Sequence, residues 1–499
     1  MIDDLWRLPG VGGELQNIYM ESAQIPDYRF SWIAVTALFS VIGARKYKTV
    51  SGNYTPLAMM VLARSSSGKN HILEFIEACL QQSGLSHLSL NKAGASSVRG
   101  LFQIMKRSPS QIIIIDEAAH AREGGKGNPH LMQLRGQLMS MMGSAEGTFS
   151  LPETSDRGLG DKELKAKRER ERPIKNPALV YVEISTAEKL LNGLNTMDAV
   201  SGELGRYLIV GAGGGLPIMT EGEPEPIDLP DDLRLALARI RHDIDHQITE
   251  EEAYQSVKDE VWAEHVACGP TARGLLKPTD ADIKARVNTL KATDPGFMEN
   301  TPDNPDRPPV PIVFQWEHPD MRNNIFREQQ IALLSRYWEE DTDIYSKKHE
   351  HAMRLSLIYS LMDPDTYQRR VVSREHAQKA VEVVNYLIGE TDRLVVPLIA
   401  DNDVQRAVNA AVEAIKSAGG KPVSYDSWKT RASWKRLDST AKRVCVLEAL
   451  EDYPILPILN PDATNTGKFN KFRYVWCGTH KQVSNMREEF HQKQQEAKA

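Results

Sequence analysis

Two hydrophobic periods divide the chain. From Phe30 to Gly43 the run Phe-Ser-Trp-Ile-Ala-Val-Thr-Ala-Leu-Phe-Ser-Val-Ile-Gly is apolar on most faces, which predicts a buried helix. From Thr55 the pattern changes to short apolar runs separated by helical stretches. Pro56–Ala63 reads as a strand, His71–Gln82 as a helix, Leu85–Leu90 as a second strand and Ser96–Lys106 as a helix. Gln111 then opens four consecutive isoleucines that end in Asp116-Glu117, and Ala178–Ile184 and Tyr207–Val210 are further apolar runs. Continuous rather than alternating apolar strands are buried on both faces, so the alternation predicts an α/β fold with a parallel sheet.

Beyond the Gly- and Pro-rich residues 213 to 230, long helical patterns run to about Ile399, most regularly over Tyr345–Met362 and Ser373–Val395, with a proline-rich loop from Pro295 to Pro311. Residues 402 to 477 carry three helical patterns, then Ile455–Leu459 and Lys471–Trp476 around a polar turn; helix-helix-helix-hairpin reads as a winged helix. The expected organisation is a helical segment at 1–50, an α/β core at 51–215, a helical domain or lid at 216–400, a winged-helix-like domain at 401–480 and a charged tail at 481–499.

Composition changes this picture little. The chain has 499 residues and a net charge of -6, which excludes a uniformly basic nucleic-acid coat and confines any such surface to local patches. Cys79, Cys268, Cys445 and Cys477 are widely spaced and form no C-x-x-C pair, so neither a disulfide framework nor a zinc ribbon is expected. The first residues lack a signal-peptide pattern and no run is long enough to span a bilayer, so the expectation is a cytoplasmic protein with no membrane partner.

The candidate chemistry centres on Ser65, Ser66, Ser67, Gly68, Lys69 and Asn70, between the first strand and its helix. Phosphate binding needs several backbone N–H donors and one flexible cation, which a small-residue loop ending in Gly-Lys at a helix start supplies. The usual pattern is G-x-x-x-x-G-K-[ST]; here Ala63 replaces the first glycine and Asn70 the hydroxyl residue. Gly-Lys also occurs at 125–126, 420–421 and 467–468, so the flanking strand and helix carry the signal. Asp116 at the end of the isoleucine strand can hold the water shell of Mg2+, and Glu117 can orient and deprotonate an attacking water. Asn70 offers an amide oxygen to the metal in place of a hydroxyl. The cofactors expected are therefore ATP and Mg2+. A plain capped helix and an ordinary acidic strand end are the competing reading.

Leu8-Pro9-Gly10, the helical segment with Ala23-Gln24-Ile25-Pro26, Ser67-Gly68-Lys69, Ile115-Asp116-Glu117 and Ser201-Gly202-Glu203-Leu204-Gly205-Arg206 together resemble the RecA-like P-loop replication ATPases of phages and mobile elements, often joined to primases, over about residues 1 to 400. The resemblance implies a RecA-like P-loop ATPase core at 51–215 and a helicase-like, ring-forming, hexameric motor, in a bacterial host cell if phage-encoded. No zinc or acidic primase motif is present, so priming would fall to a separate protein. Arg206, after a glycine and at the start of an apolar strand, fits an arginine finger reaching a neighbour's γ-phosphate, and equally an ordinary surface arginine. Arg354 resembles an arginine on an ATPase lid helix, or is a helix-surface residue. Ser185 and Thr186 end a strand where related ATPases place a γ-phosphate sensor, although Ser185-x-x-Glu188 is also a capping box. His120, His349 and His351 lack carboxylates at ligand spacing and read as helix-surface residues.

Single-stranded DNA has two candidate contacts. One is the basic run with Lys162, Lys165, Lys167, Arg168, Arg170 and Arg172, which as readily forms a solvated loop. The other is the carboxy-terminal set Lys429, Arg431, Lys435, Arg436, Lys442 and Arg443, interleaved with Trp428 and Trp434. The expected function is an ATP-hydrolysing DNA motor, a replicative helicase acting as a ring on single-stranded DNA. The alternatives are a slow nucleotide-switched DNA-binding or loader protein, favoured by Asn70, and a packaging or defence ATPase.

Overall fold

The computed structural model describes residues 2–90, 97–116, 129–141, 147–151, 170–186, 204–212, 219, 223–242, 254–255, 257–258, 261, 279–293, 303, 305, 309–340, 345–394, 403–424, 454–459, 472–477 and 483. Two compact units are distinguished, Met1–Thr186 with Gly202–Ile388, and Ala187–Ser201 with Gly389–Ala499.

In the first unit α1 (Ile2–Trp6) and α2 (Gly10–Ser22) lead to α3 (Tyr28–Ile42). Asp27 starts α3 by accepting the Arg29 N–H, which satisfies one of the donors a helix start leaves without an intrahelical partner. Every residue from Phe30 to Ile42 is buried, as an all-round apolar helix requires. Gly43 ends it, donating to the Phe39 carbonyl at 2.9 Å.

After β1 (Tyr47–Thr49) the chain forms β2 (Ala58–Ala63), α4 (His71–Gln82), β3 (Ser89–Leu90), α5 (Val98–Arg107) and β4 (Ser110–Asp116). Next come α6 (Pro129–Met141), the short antiparallel pair β5 (Thr148–Phe149) and β6 (Ile174–Lys175), then β7 (Ala178–Ser185) and β8 (Tyr207–Ala212). Five strands join in the order β3-β4-β7-β2-β8, all parallel. β2 and β7 are buried along their whole length, and α3 packs against β4, β7 and β8. The α/β class and the parallel sheet are as the hydrophobic runs predict.

The strand order fixes where a ligand can sit. β2 leaves toward β3 at the far edge, while the chain from β7 passes to β8 on the other side of β2. Connections therefore diverge at the carboxyl end of β2, the place where open parallel sheets form their binding crevice. Asp116 pairs with Ile184, Ile184 with Val61, and Val61 with Val210, so the four strand ends are level.

A second parallel sheet, β1 with β9 (Ile312–Trp316) and β10 (Val371–Val372), ties the amino-terminal segment to a region whose pattern reads as helical. The same unit holds α7 (Asp231–His242), α8 (Asp280–Thr293), α9 (Glu328–Glu340), α10 (Lys348–Met362) and α11 (Pro364–Arg369), of which α10 and α11 pack on this sheet. α10 is buried from His351 to Met362, with the Trp32 Nε1–H donating to the Tyr359 hydroxyl at 3.0 Å.

A charged network closes the base of this unit. The Arg241 side chain is wholly buried at the end of α7; Nη1 donates to the Ile42 and Ala44 carbonyls at 3.1 and 3.0 Å, and Nη2 pairs with Asp303. Lys46 Nζ donates to the Arg241 carbonyl at 3.2 Å and the Tyr47 hydroxyl to that of Ile240 at 2.7 Å. Although burial alone would raise it, the Asp303 carboxyl is held well below the usual range by Arg241 and His87. Burial, reinforced by Arg241, lowers Arg45 to about 9.

α12 (Arg374–Leu394) continues into the second unit. There α13 (Asp403–Lys416) packs on β13 (Phe472–Trp476), which lies between β11 (Val423–Ser424) and β12 (Ile455–Leu459) in an antiparallel sheet. The hairpin is where the pattern places it. The basic and aromatic residues 428 to 443 lie outside the described residues.

Candidate functional site

The loop after β2 has the shape of an anion cradle. Ser66 (φ 60°) and Gly68 (φ 81°) both adopt left-handed backbone, alternating with their neighbours, an arrangement that turns successive N–H groups toward one centre. Among the described residues, the N–H groups of Ser65, Ser66, Gly68, Lys69 and Asn70 have no acceptor, whereas the following turn closes with His71 N–H on the Gly68 carbonyl at 3.1 Å. A non-glycine side chain is disfavoured at 68 on two grounds. Its φ disfavours one, and a Cβ there would lie 3.0 Å from Ile25 Cβ and 3.1 Å from the Ile25 carbonyl oxygen.

Lys69 is half-buried and has no hydrogen-bond or ion-pair partner among the described residues. Asn70 is exposed at the helix start and caps nothing with its side chain, so its amide is available. Two hydroxyls nearby are buried without a partner among the described residues: Ser67 Oγ in the loop and Ser185 Oγ at the end of β7. Ser185 pairs with Leu62, one position before the loop strand ends, so both orphaned hydroxyls belong to the same edge of the sheet. Buried polar groups without partners cost about 1–3 kcal/mol each, and a ligand oxygen would relieve them.

These features fit a polyphosphate. They provide a row of donors, a cation, two orphaned hydroxyls and no carboxylate in the loop to repel an anion. For the metal, no group of three or more His, Cys, Asp or Glu side chains is assembled among the described residues. A Mg2+ here would rest on one or two protein oxygens, with phosphate and water completing its shell, as this ion prefers. Asp116 ends β4 level with Val61, two strands from the loop; Glu117 lies outside the described residues.

The amino-terminal segment braces the cradle. Ser22 Oγ meets His71 Nε2 at 2.9 Å, and the His71 ring stands edge-on to Tyr19 and near Phe75. Burial lowers the His71 pKa, with Glu74 opposing. Asp27 holds Arg29 through contacts of 2.6 and 3.0 Å, and Arg29 Nη1 donates to the Gly211 carbonyl at the end of β8. This bracing has no local signature in the sequence, since the contacts join residues far apart in the chain.

Arg206 is not brought to this loop. It sits at the amino end of β8, six residue steps before the position level with the end of β2, which separates it from the loop by about 20 Å, more than an arginine spans. The half-buried Arg206 has no partner among the described residues, and its Nε is buried and unbonded. Around it, Lys348 Nζ donates to the Tyr207 carbonyl, His351 Nε2 meets the Gly205 carbonyl at 3.2 Å, and Arg354 Nη2 reaches Glu350 at 3.2 Å. Because a carbonyl only accepts, His351 carries its hydrogen on Nε2, leaving Nδ1 buried and unpaired. Burial drives His351 well below its ordinary pKa and Arg354 to about 10; Arg206 contributes to the latter fall. Neither His351 nor Arg354 is the helix-surface residue the spacing suggests, since both are buried.

Of the basic run, Arg170 and Arg172 are described and exposed, and the Arg170 carbonyl accepts from Lys106 Nζ at 3.1 Å. Lys162, Lys165, Lys167 and Arg168 lie outside the described residues, as do Lys435, Arg436, Lys442 and Arg443. Among the described residues no helix is long and apolar enough to cross a membrane. No protein-family model matches the chain, and no curated protein matches it.

Proposed function

We propose that the chain is a RecA-like P-loop ATPase that drives a DNA motor, most simply a ring-forming replicative helicase of a phage or mobile element. The observation that carries the reading is the cradle at Ser65–Asn70, with its unpartnered N–H groups and paired left-handed residues, at the carboxyl end of β2 where the sheet's connections diverge. Bound ATP with Mg2+ supplies a terminal phosphoryl group that transfers to water, breaking the bond between the γ-phosphorus and the bridging oxygen and releasing ADP and phosphate.

The loop N–H groups would bind the phosphates and Lys69 would reach the β and γ oxygens. Asp116 and Asn70 would hold the metal, and Glu117 would take the proton of the attacking water. Ser185, one strand from the loop, would hydrogen-bond a terminal oxygen. Arg206, too far from its own loop and without a partner among the described residues, would serve a neighbouring copy by neutralising charge as the phosphoryl group departs. The chain would work as a hexameric ring, with single-stranded DNA gripped by the basic residues near Lys165–Arg170 and Lys435–Arg443. The helix and three-stranded sheet of the second unit support a winged-helix reading of 401–480.

The test is ATP turnover of the purified chain with and without single-stranded DNA. Turnover should rise with DNA and fall by about 10²–10³ in Lys69→Ala, the cost of removing one preorganised charge-stabilising group. An unstimulated and Lys69-independent rate would sink the proposal.

A second reading, a slow nucleotide-switched loader, rests on the exposed amide of Asn70 at the metal position. If it holds, Asn70→Thr raises turnover strongly; a fast motor shows little change.

A further inference from the structure

We infer that the connection between α2 and α3, at Gln24–Pro26, receives the nucleoside of the bound nucleotide. The inference rests on the phosphate reading of Ser65–Asn70 and extends it from the phosphates to the rest of the ligand. Ile25 lies directly on the cradle: a Cβ at Gly68 would meet both Ile25 Cβ, at 3.0 Å, and its carbonyl oxygen, at 3.1 Å. The connection is pinned on both flanks, by Ser22 to His71 at 2.9 Å and by Arg29 to the Gly211 carbonyl at 3.1 Å.

Direction follows from the strand order. β7 and β4 flank β2 on one side and end in Ser185 and Asp116, the positions for a terminal phosphate oxygen and a metal. β8 flanks it on the other, and Arg29 fastens the connection to that side. A nucleotide whose terminal phosphate points toward β7 carries its nucleoside toward β8, against Ile25.

The surface there has the chemistry of a base subsite. Ile25 and Pro26 are half-buried and apolar, which suits the flat face of a base. The peptide groups of Gln24 and Ile25 have no hydrogen-bond partner among the described residues, so donors and acceptors remain for a base edge or ribose hydroxyl. Small-ligand sites combine these two qualities, an apolar wall with a few convergent polar groups. The ligand class is a nucleoside triphosphate rather than an inorganic polyphosphate or a sugar phosphate.

Titration calorimetry on the full chain with two probes, Mg-ATP and magnesium tripolyphosphate, tests this. Ile25→Ala keeps the Cβ and carbonyl that touch Gly68 and removes only the carbons beyond. ATP affinity should fall roughly tenfold, the scale for withdrawing a few partly buried methyl and methylene groups, with tripolyphosphate affinity unchanged. Ile25→Val should fall between, and supplies the same comparison should the alanine variant fail to fold. Lys69→Ala should weaken both probes. Equal loss of both probes in the Ile25 variants makes Ile25 a support for the loop and overturns the inference, as does wild-type binding of tripolyphosphate as tight as ATP. If Lys69→Ala leaves both probes unaffected, the phosphate reading itself fails.

Discussion

Two cationic regions lie in the same unit and are treated oppositely. At the base, Arg241 is enclosed with Asp303, two carbonyls and the backbone of the α3–β1 turn around it, and its guanidinium holds a carboxylate ionised. At the loop and at the start of β8, Lys69 and Arg206 are only half-buried and have no partner among the described residues. Buried charge is tolerated when paired and strongly destabilising when one partner is removed. A cation left without a partner in a folded chain is therefore the better place to look for an external anion, and one surrounded by carbonyls is the better place to look for stability.

The contrast is easiest to break with stability. Arg241→Ala should lower unfolding free energy by about 3–5 kcal/mol, since Asp303 loses its guanidinium, while Arg206→Ala should stay within about 0.5 kcal/mol. Urea midpoints decide it, and equal losses would erase the distinction between the two regions. A smaller effect belongs to Gly68→Ala. Strained φ and the close approach of Ile25 should cost about 1–3 kcal/mol, together with loss of polyphosphate binding. Destabilisation with retained tripolyphosphate affinity would show that the cradle geometry is not what binds.

The smallest effect is in pH. His351 has a folded pKa below its unfolded value, so the neutral form that packs against Gly205 contributes fully above about pH 6.5 and its contribution is lost as pH falls, at up to about 1.4 kcal/mol per pH unit. Asp303 behaves in the same direction at lower pH: its contribution is present above about pH 4 and lost as acid protonates it. Thermal melts from pH 7.5 to 5 should show a decline that is shallower in His351→Gln, because Asp303 stays ionised there. An identical slope would remove His351 from the account.

Much of the central sheet is legible in the residues because strands buried on both faces leave uninterrupted apolar runs, as in Ile112–Ile115 and Ala178–Ile184. The order of those strands is not legible, since the pairing of Val61 with both Ile184 and Val210 is a non-local fact. β9 escapes because Ile312–Trp316 follows a proline cluster and alternates only partly between buried and exposed positions. Nothing local reveals that carbonyls surround Arg241. The cradle residues are legible as a motif, but the contact of Gly68 with Ile25 is tertiary. Ser185 is legible as a strand end; its orphaned hydroxyl is not.

The pairing of β1 with β9 also orders events during synthesis. Tyr47–Thr49 emerges early and bridges locally, Lys48 to Tyr54, but its strand partner Ile312–Trp316 follows half the chain later. At translation rates of about 5–20 residues per second, that interval is on the order of tens of seconds. All five strands of the β3-β4-β7-β2-β8 sheet are out of the ribosome before β9 exists, so the cradle can be assembled while β1 still waits. A ribosome stalled between the two would hold a chain with its five-stranded sheet complete and β1 not yet joined to β9.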